Sequence, residues 1–373
     1  MLSQAAVPRH DITWLGLMRS YKRLHMTVKP LPPGAPGRKD RWMISPKSIE
    51  PAAGRTRMED IARLAGVSVS TVSRALAGSP RVTGDTKERI EAAVRQTGYV
   101  VNQVAQGLRL QRSRQLLVLL PTIANPFFAE VVQGIEEAAG AAGYGVLVGS
   151  TEGDPAREAV LARQLLTGVV DGLVLLTGRI PTGLDVGALA GQVVAVSETI
   201  EGADLPTVSI DNTAAALDAV NHLIALGHRR IAHIAGPPRN VLTAQRIAGW
   251  RAAVGGEIAP VFGDFTMTSG EAAMASLLAR SPRPTAVFCA NDEMAIGAIK
   301  AARDAGLRVP EDLAVIGFDD ISFAAFTYPP LTTIRQPRRS FGAAAVAALL
   351  DGHPPPNLAY TLITRASTAR PGL

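Results

Sequence analysis

Residues 58–78 read MEDIARLAGVSVSTVSRALAG, with the spacing of two short helices joined by a tight turn. Ile61 and Ala65 share one face of the first helix. Gly66 follows at the turn, which favours a residue that tolerates a positive φ. Ser68 is placed to cap the second helix. The pattern predicts a helix-turn-helix, and an ordinary helical hairpin is the alternative.

The second helix of this motif leaves small and polar side chains on its outer face. They are Val69, Ser70, Ser73 and Arg74. In a motif that binds DNA, a small apolar side chain can contact a thymine methyl group, and an arginine can donate two hydrogen bonds to guanine. A third helix is expected from Thr86 to Arg95, ended by Gly98.

The net charge of +6 is unevenly distributed along the 373 residues. Residues 1–57 contain eleven Lys and Arg against three Asp and Glu, residues 58–112 eight against five, and residues 113–373 nineteen against 24. A basic front and an acidic remainder indicate a polyanion partner for the front, and a solvated basic tail is the alternative. Residues 1–57 are rich in Pro and Gly without any period, so we expect an unstructured extension, or a start codon assigned too far upstream.

The composition excludes several classes of protein. The apolar runs, such as 186–197 and 341–350, are too short to span a membrane. A single cysteine, Cys289, excludes a disulfide framework, and the six histidines show no metal-ligand spacing. No nucleophile elbow, phosphate-binding loop or dinucleotide fingerprint is present. We expect a soluble, cytoplasmic protein that is not an enzyme and holds no cofactor or metal.

From Gln115 onward, short apolar runs alternate with helical patterns. The alternation starts again after residue 210, with runs such as Arg230-Ile-Ala-His-Ile and Ala286-Val-Phe-Cys. Alternating strands and helices form parallel sheets with helices on both faces. Two successive series predict two similar lobes with a cleft between them.

The helix-turn-helix stretch, followed by Val82-Thr-Gly-Asp-Thr86 and by the segment from Gly98 to Leu108, resembles the headpiece of the LacI/GalR family of bacterial transcription regulators. The resemblance runs from about Met58 to the C-terminus. It implies a small all-α helix-turn-helix headpiece plus an α/β periplasmic-binding-protein-like core of two similar parallel-sheet lobes. The implied division is an extension over 1–57, the DNA-binding domain over 58–101, a hinge helix and linker over 102–113, lobe 1 from 114–209 with 336–352, and lobe 2 from 210–335 with 353–373.

The resemblance also implies roles at the DNA. Val69, Ser70 and Arg74 would contact bases, whereas Thr71, Ser73 and Thr86 would contact phosphates. The hinge helix would supply Asn102, Ala105 and Leu108, with Leu108 as a wedge in the minor groove. A buried linker leucine is the alternative for Leu108. The family usually has Pro where Val101 stands, so the start of this helix is less rigidly fixed.

In the core, the resemblance implies an effector site formed by Phe127, Phe128, Arg246, Asn291 and Asp319. Core packing is the alternative for each phenylalanine, and a surface position is the alternative for Arg246. Asp292 and Asp320 are expected to be helix caps or contacts between the lobes. Where the family often has Asp, this chain has Ser197.

The function that these features imply is sequence-specific binding of double-stranded DNA by a homodimer, at an inverted-repeat operator. The protein is expected to be a repressor without a membrane partner. A small molecule between the lobes would control operator affinity. A sugar or sugar derivative is the expected effector, with nucleosides and purines as the alternatives.

Overall fold

The computed structural model describes residues 56–76, 78–99, 112–255 and 259–371. The chain divides between Tyr99 and Val100 into two compact units, here called the headpiece and the core. The hinge residues Asn102, Ala105 and Leu108 lie outside the described residues, as do Val101 and the extension before Thr56. None of the helices in the described ranges has the length and hydropathy that a membrane crossing requires.

The headpiece consists of three helices: α1 (Met58–Ala65), α2 (Val69–Leu76) and α3 (Gly84–Thr97). Gly66 ends α1 with φ 64°, the left-handed conformation expected at the turn. The Ser68 hydroxyl accepts a hydrogen bond from the Thr71 N–H at 3.2 Å, which confirms the predicted cap of α2. The helix-turn-helix is therefore present, with a third helix beside it.

One fully buried side chain from each helix forms the centre of the headpiece: Ile61, Val72 and Ile90. Small residues such as Ala62 and Ala75 are buried around them, which lets the helices approach closely. A unit of this size buries little apolar surface, so each of these side chains contributes strongly to its stability.

Lobe 1 of the core is built on a parallel five-stranded sheet in the order β2-β1-β3-β4-β5. Its strands are β1 (Gln115–Leu120), β2 (Gly145–Ser150), β3 (Gly172–Leu175), β4 (Val193–Val196) and β5 (Thr207–Val208). Helices α4 (Pro126–Ala141) and α5 (Pro155–Leu166) connect the first three strands. The central strands β3 and β4 are buried along their whole length, as expected where helices cover both faces of a sheet.

Lobe 2 repeats this arrangement with a parallel four-stranded sheet in the order β7-β6-β8-β9. Its strands are β6 (Ile231–Ala235), β7 (Val261–Phe262), β8 (Ala286–Cys289) and β9 (Ala314–Ile316). Its helices are α6 (Asn212–Ala225), α7 (Val241–Val254), α8 (Met267–Leu278) and α9 (Asp292–Asp304). The two similar parallel-sheet lobes predicted from the sequence are confirmed.

After lobe 2, the chain passes back to lobe 1 and then returns. Strand β10 (Thr333–Arg335) pairs antiparallel with β11 (Thr361–Ile363), and α10 (Arg338–Leu350) lies between them in the sequence. Helix α10 packs on α4 so closely that a Cβ at Gly134 or Gly342 would overlap the backbone of the other helix. These connections are the crossovers between the lobes, and they lie next to the ends of the strands that form the cleft.

Candidate functional site

The outer face of α2 carries most of the predicted DNA contacts. Val69, Ser70 and Arg74 are exposed, whereas Thr71 and Ser73 are half-buried. Arg74 lies along the helix, with Nε donating to the Ser70 carbonyl at 3.1 Å and Nη2 donating to Ser70 Oγ at 3.3 Å. Two predicted base-contacting side chains are thus held together on one exposed surface.

Hydroxyl groups cluster at the start of α2 and again at the start of α3. Ser68 Oγ lies 2.8 Å from both Ser70 Oγ and Thr71 Oγ1. In α3, Thr83 Oγ1 donates to Thr86 Oγ1 at 3.0 Å, and Thr86 is half-buried. Helix N-termini and hydroxyls suit phosphate contacts, which position a protein on DNA without reading its sequence.

In the core, a cavity of about 1020 Å³ lies between the two lobes. Open α/β sheets bind ligands at the carboxyl ends of the strands, where the strand order reverses. That reversal falls between β1 and β3 in lobe 1 and between β6 and β8 in lobe 2. All five predicted effector-binding residues line this cavity: Phe127, Phe128, Arg246, Asn291 and Asp319.

Arg246 on α7 is buried, so the alternative of a surface arginine is wrong. Its Nε and Nη2 donate to Asn212 Oδ1 at 3.1 and 3.0 Å, and Nη1 donates to the Ala290 carbonyl. The guanidinium carbon lies 3.8 Å from the centroid of the Phe318 ring, and Nη2 lies 3.9 Å from Asp319 Oδ1. The arginine therefore holds lobe 2 together in addition to lining the cavity.

Asp319 links the cavity to the crossovers. It follows β9 with φ 109°, a value rarely adopted by residues other than glycine. Its Oδ1 accepts a hydrogen bond from Gln336 Nε2 at 2.7 Å, and its carbonyl accepts one from Arg338 Nη1 at 2.8 Å. Burial raises the pKa of Asp319 to about 6, although nearby Arg246 opposes this shift.

Asn291 is the N-cap of α9, so part of its side chain is already used. Oδ1 accepts from the Met294 N–H at 2.9 Å, and Nδ2 donates to the Phe265 carbonyl at 3.0 Å. One amide hydrogen and one oxygen lone pair remain for a ligand. Asp292 does not cap this helix, because its carboxylate accepts from the Ile321 N–H and, at 2.6 Å, from the hydroxyl of Thr333 on β10.

Asp320, the other residue expected to be a helix cap or a contact between the lobes, forms two ion pairs. Its carboxylate accepts from Arg335 Nε on β10 at 2.6 Å and lies 2.7 Å from Arg365 Nη2. Like Asp292, it contacts a crossover strand, so these two carboxylates fasten lobe 2 to the connections between the lobes.

Phenylalanine rings contribute to two walls of the cavity. Phe127 and Phe128 lie in the first turn of α4, and their rings meet edge to face with centroids 5.4 Å apart. Phe127 is buried in the core of lobe 1, whereas Phe128 is only half-buried, so core packing accounts for Phe127 better than for Phe128. Phe265 lines the lobe 2 wall and packs over Gly236, where a Cβ would overlap its ring.

Sequence reasoning missed a polar cluster after β3. Thr177 and Arg179 both line the cavity, and both donate to the fully buried carboxylate of Glu158 on α5. Arg179 Nη2 also donates to the Gly153 carbonyl at 3.2 Å. The signal available in the sequence was a polar segment directly after a buried strand, at the edge of the sheet where ligands bind.

Sequence reasoning also missed Glu198, which follows β4 and lines the cavity. Ser197 before it has φ 73°, and Asn240 Nδ2 of lobe 2 donates to Glu198 Oε2 at 2.9 Å. Burial raises the pKa of Glu198, against the opposing effects of this hydrogen bond and of Arg246. The chain thus has an acid one residue beyond the position at which the family often carries Asp.

Two further side chains of the core, Glu293 and Cys289, have pKa values raised by burial. Burial, and then Asp319, raise the pKa of the cavity residue Glu293 to about 7. Cys289 is fully buried, which raises the pKa of its thiol above its usual range. In the described part of the chain, no cluster of three or more His, Cys, Asp and Glu side chains is arranged to hold a metal ion.

A helix-turn-helix headpiece, followed along the chain by two parallel-sheet lobes around a polar cavity, defines the class of DNA-binding regulators that carry a ligand-binding core. Residues 57–102 match the family model described as bacterial regulatory proteins, lacI family, and residues 220–368 match a periplasmic binding protein-like domain. The chain belongs to the LacI/GalR family of transcription regulators.

Known relatives cover most of the chain. The HTH-type transcriptional repressor CytR of Escherichia coli K12 is 41% identical over 302 residues, which are 79% of this chain and 89% of the relative. The ribose operon repressor of the same strain is 37% identical over 323 residues, which are 81% and 94%. Both relatives are repressors, and this protein is a DNA-binding transcription regulator of the same family.

Two solved structures are similar to most of this chain. The lac repressor dimer bound to operator and the anti-inducer ONPF aligns with a TM-score of 0.74 and 30% identity, covering 84% of this chain and 99% of the other. The complex of the transcriptional regulator CelR with cellobiose aligns with a TM-score of 0.61 and 32% identity, covering 84% and 100%.

Proposed function

We propose that this protein is a homodimeric, cytoplasmic repressor that binds an inverted-repeat operator and is controlled by a sugar or sugar derivative in the cavity of the core. The observation that carries this proposal is the cavity itself. Its lining combines phenylalanine rings with the side chains of Arg179, Glu198, Arg246 and Asp319, contributed by both lobes. A ligand that contacts both walls stabilises one separation of the lobes over others.

For DNA, we propose that Val69, Ser70 and Arg74 contact base edges, and that Thr71, Ser73 and Thr86 contact phosphates. The exposed position of Arg74 supports this assignment, because its guanidinium lies at the surface of α2 rather than in the headpiece core. Asn102, Ala105 and Leu108 complete the proposal as hinge residues in the minor groove, on the strength of the sequence resemblance. Two headpieces are needed because a single helix-turn-helix contacts only one half-site.

For the effector, we propose that Phe128 and Phe265 stack on ring faces, while Arg246, Asn291 and Asp319 hold polar groups. Sugars present hydroxyls that both donate and accept, which suits a wall of carboxylates and arginines. A structural relative was solved with cellobiose. A nucleoside is the second candidate, since the edge-to-face pair of Phe127 and Phe128 also offers a surface for a planar base.

Regulation is proposed to run through the crossovers. Asp319 contacts both the cavity and Gln336 and Arg338, which begin the return of the chain to lobe 1. Ligand that changes the separation of the lobes therefore acts on the segments that connect them. We propose no catalytic role, because the thiol of Cys289 is fully buried, which raises its pKa above the usual range, and because no catalytic motif is present in the sequence.

Two measurements on the full chain test this proposal. First, wild-type protein selects binding sites from a random pool of duplexes, and the selected sites should be inverted repeats. Arg74→Ala should relax the preference at one position of each half-site. If instead the selected pool stays random, the protein is not a sequence-specific repressor.

Second, sugars and nucleosides are screened for a rise in melting temperature, because a ligand that binds only the folded state stabilises it. Each compound that raises the melting temperature is then tested for its effect on binding to the selected operator. Weaker binding means induction, and tighter binding means corepression. A bound compound that changes neither the affinity nor the rate of operator binding contradicts the proposed control.

A further inference from the structure

Glu198 and Asn240 form a hydrogen bond between the two lobes, and neither residue belongs to a crossover. Glu198 follows β4 in lobe 1, and Asn240 is the N-cap of α7 in lobe 2. Both line the cavity. The contact therefore spans the cleft in which an effector would lie.

The side-chain amide of Asn240 has a fixed orientation, which directs its NH2 group toward Glu198. Its Oδ1 caps α7 by accepting from the Thr243 N–H at 3.1 Å, so its Nδ2 is the group that faces lobe 1. An N-cap side chain is tied to the first turn of its own helix by this hydrogen bond. The donor is therefore held in place by lobe 2 itself.

In lobe 1, the backbone around Ser197 and Gly178 fixes the position of the Glu198 carboxylate, which is the acceptor. Ser197 has a left-handed backbone conformation, with φ 73°, and Glu198 follows directly. The Glu198 carboxylate lies against the bare backbone of Gly178, where a Cβ would overlap its Oε2. Gly178 itself has φ 69°. A glycine is therefore needed here both to leave room for the carboxylate and to adopt a positive φ.

From this geometry we propose that Glu198 and Asn240 are a latch that holds the lobes of the effector-free protein together, and that an effector entering the cavity competes for its polar groups. The proposed latch depends on the proposed function in one respect, namely that the separation of the lobes controls operator affinity. The test of the latch involves no DNA, so a failure of the latch and a failure of the proposed function are recognised separately.

The test measures the separation of the lobes by pulsed electron spin resonance in the full-length, effector-free protein. Spin labels are attached at Ile123→Cys in lobe 1 and Met267→Cys in lobe 2, two exposed residues next to the cavity lining. Cys289 is buried and does not compete for the label. Dilution with unlabelled protein leaves one spin pair per dimer.

Asn240→Asp keeps the cap of α7, because Asp is as good an N-cap as Asn, but it replaces the donor by a second carboxylate. We expect the population with the short lobe distance to fall about tenfold, the effect of losing a charge-assisted hydrogen bond. Glu198→Gln keeps an oxygen that can accept the hydrogen bond from Asn240, so it should change the distances less than Asn240→Asp does. Combining Glu198→Gln with Asn240→Asp reverses the direction of the bond, because the new amide donates to the new carboxylate, and the short distance should return.

The matched control is Glu201→Gln, which removes a carboxylate from the exposed rim of the same cavity and should leave the distances unchanged. The proposal is overturned if Asn240→Asp has the wild-type distance distribution. It is also overturned if the single variant opens the lobes but the double variant does not close them, because the opening would then come from local damage. Circular dichroism and melting temperature identify a variant that has not folded. If Asn240→Asp does not fold, Glu198→Ala replaces it as the variant without the hydrogen bond, and it should lower the population with the short lobe distance in the same way.

Discussion

Replacing Arg246 by methionine should destabilise the core, because the guanidinium holds three other groups of lobe 2. Methionine keeps much of the apolar volume and removes the donors to Asn212 and to the Ala290 carbonyl. It also removes the ion-pair partner of the buried Asp319 carboxylate, to which Arg246 Nη2 lies at 3.9 Å. Buried groups left unpaired cost about 1–3 kcal/mol each, and breaking a buried ion pair costs about 3–5 kcal/mol.

We therefore expect Arg246→Met to lower the free energy of unfolding by about 3–5 kcal/mol at pH 7.5. The loss should be smaller at pH 5. Arg246 lowers the pKa of Asp319, which is about 6 in the wild type, so its removal raises that pKa further. Folded wild type and folded variant both bind this proton more tightly than their unfolded chains, but the variant, with the higher pKa, gains more stability than the wild type as the pH falls from 7.5 to 5.

A double-mutant cycle with Asp319→Asn separates the ion pair from the other contacts. Asparagine tolerates the positive φ at this position and still accepts from Gln336. In the Asp319→Asn background, Arg246→Met should cost about 1–3 kcal/mol less than in the wild type. Urea unfolding followed by circular dichroism measures all four proteins.

Arg251→Met is the matched control, because Arg251 lies on the same helix but is exposed. It should change the free energy of unfolding by about 0.5 kcal/mol or less. The reasoning is refuted if Arg246→Met behaves like this control, or if its cost is the same with and without Asp319. The headpiece is a separate unit, so a folded Arg246→Met protein should bind operator normally without effector and bind effector about ten- to a hundredfold more weakly.

Four further outcomes are expected. Arg74→Ala should cost roughly 1–3 kcal/mol per half-site on the selected operator and less on random duplex, measured by competition binding. Gly66→Ala should destabilise the headpiece by about 1–2 kcal/mol in thermal unfolding, because φ is 64° while the space around the new Cβ is open. Glu293→Gln should reduce the gain in stability that the wild type shows as the pH falls from 8 to 5, because burial raises the pKa of Glu293 to about 7. Deleting residues 1–57 should preserve operator preference and weaken only salt-dependent binding to random DNA.

Each of these outcomes has a clear opposite. Equal losses on operator and random duplex would make Arg74 a phosphate contact. An unchanged melting transition in Gly66→Ala would mean that the turn relaxes without strain, and an unchanged pH dependence in Glu293→Gln would assign the proton uptake to another group. Loss of operator discrimination after the deletion would make residues 1–57 part of the recognition surface.

The sequence alone determined the features of this protein that depend on local spacing. Apolar periodicity located the headpiece helices and the longer strands of both sheets, and Gly66 marked the turn through its conformational freedom. The two-residue strands β5 and β7 were not predicted, because two residues are too few for a periodic pattern. The cavity residues Phe128, Arg246 and Asp319 were found through their position after strands and through the family resemblance.

Only the tertiary structure decided which side chains meet. Glu158 and Arg179 are 21 residues apart, and Glu198 and Asn240 are 42 residues apart and on different lobes. Nothing in the local pattern distinguishes these acids from solvated ones. The role of Arg246 as a buried support of lobe 2 was equally invisible. Periodicity reports whether a residue faces the interior of its own element, whereas hydrogen bonds between distant residues depend on how separate elements are packed together.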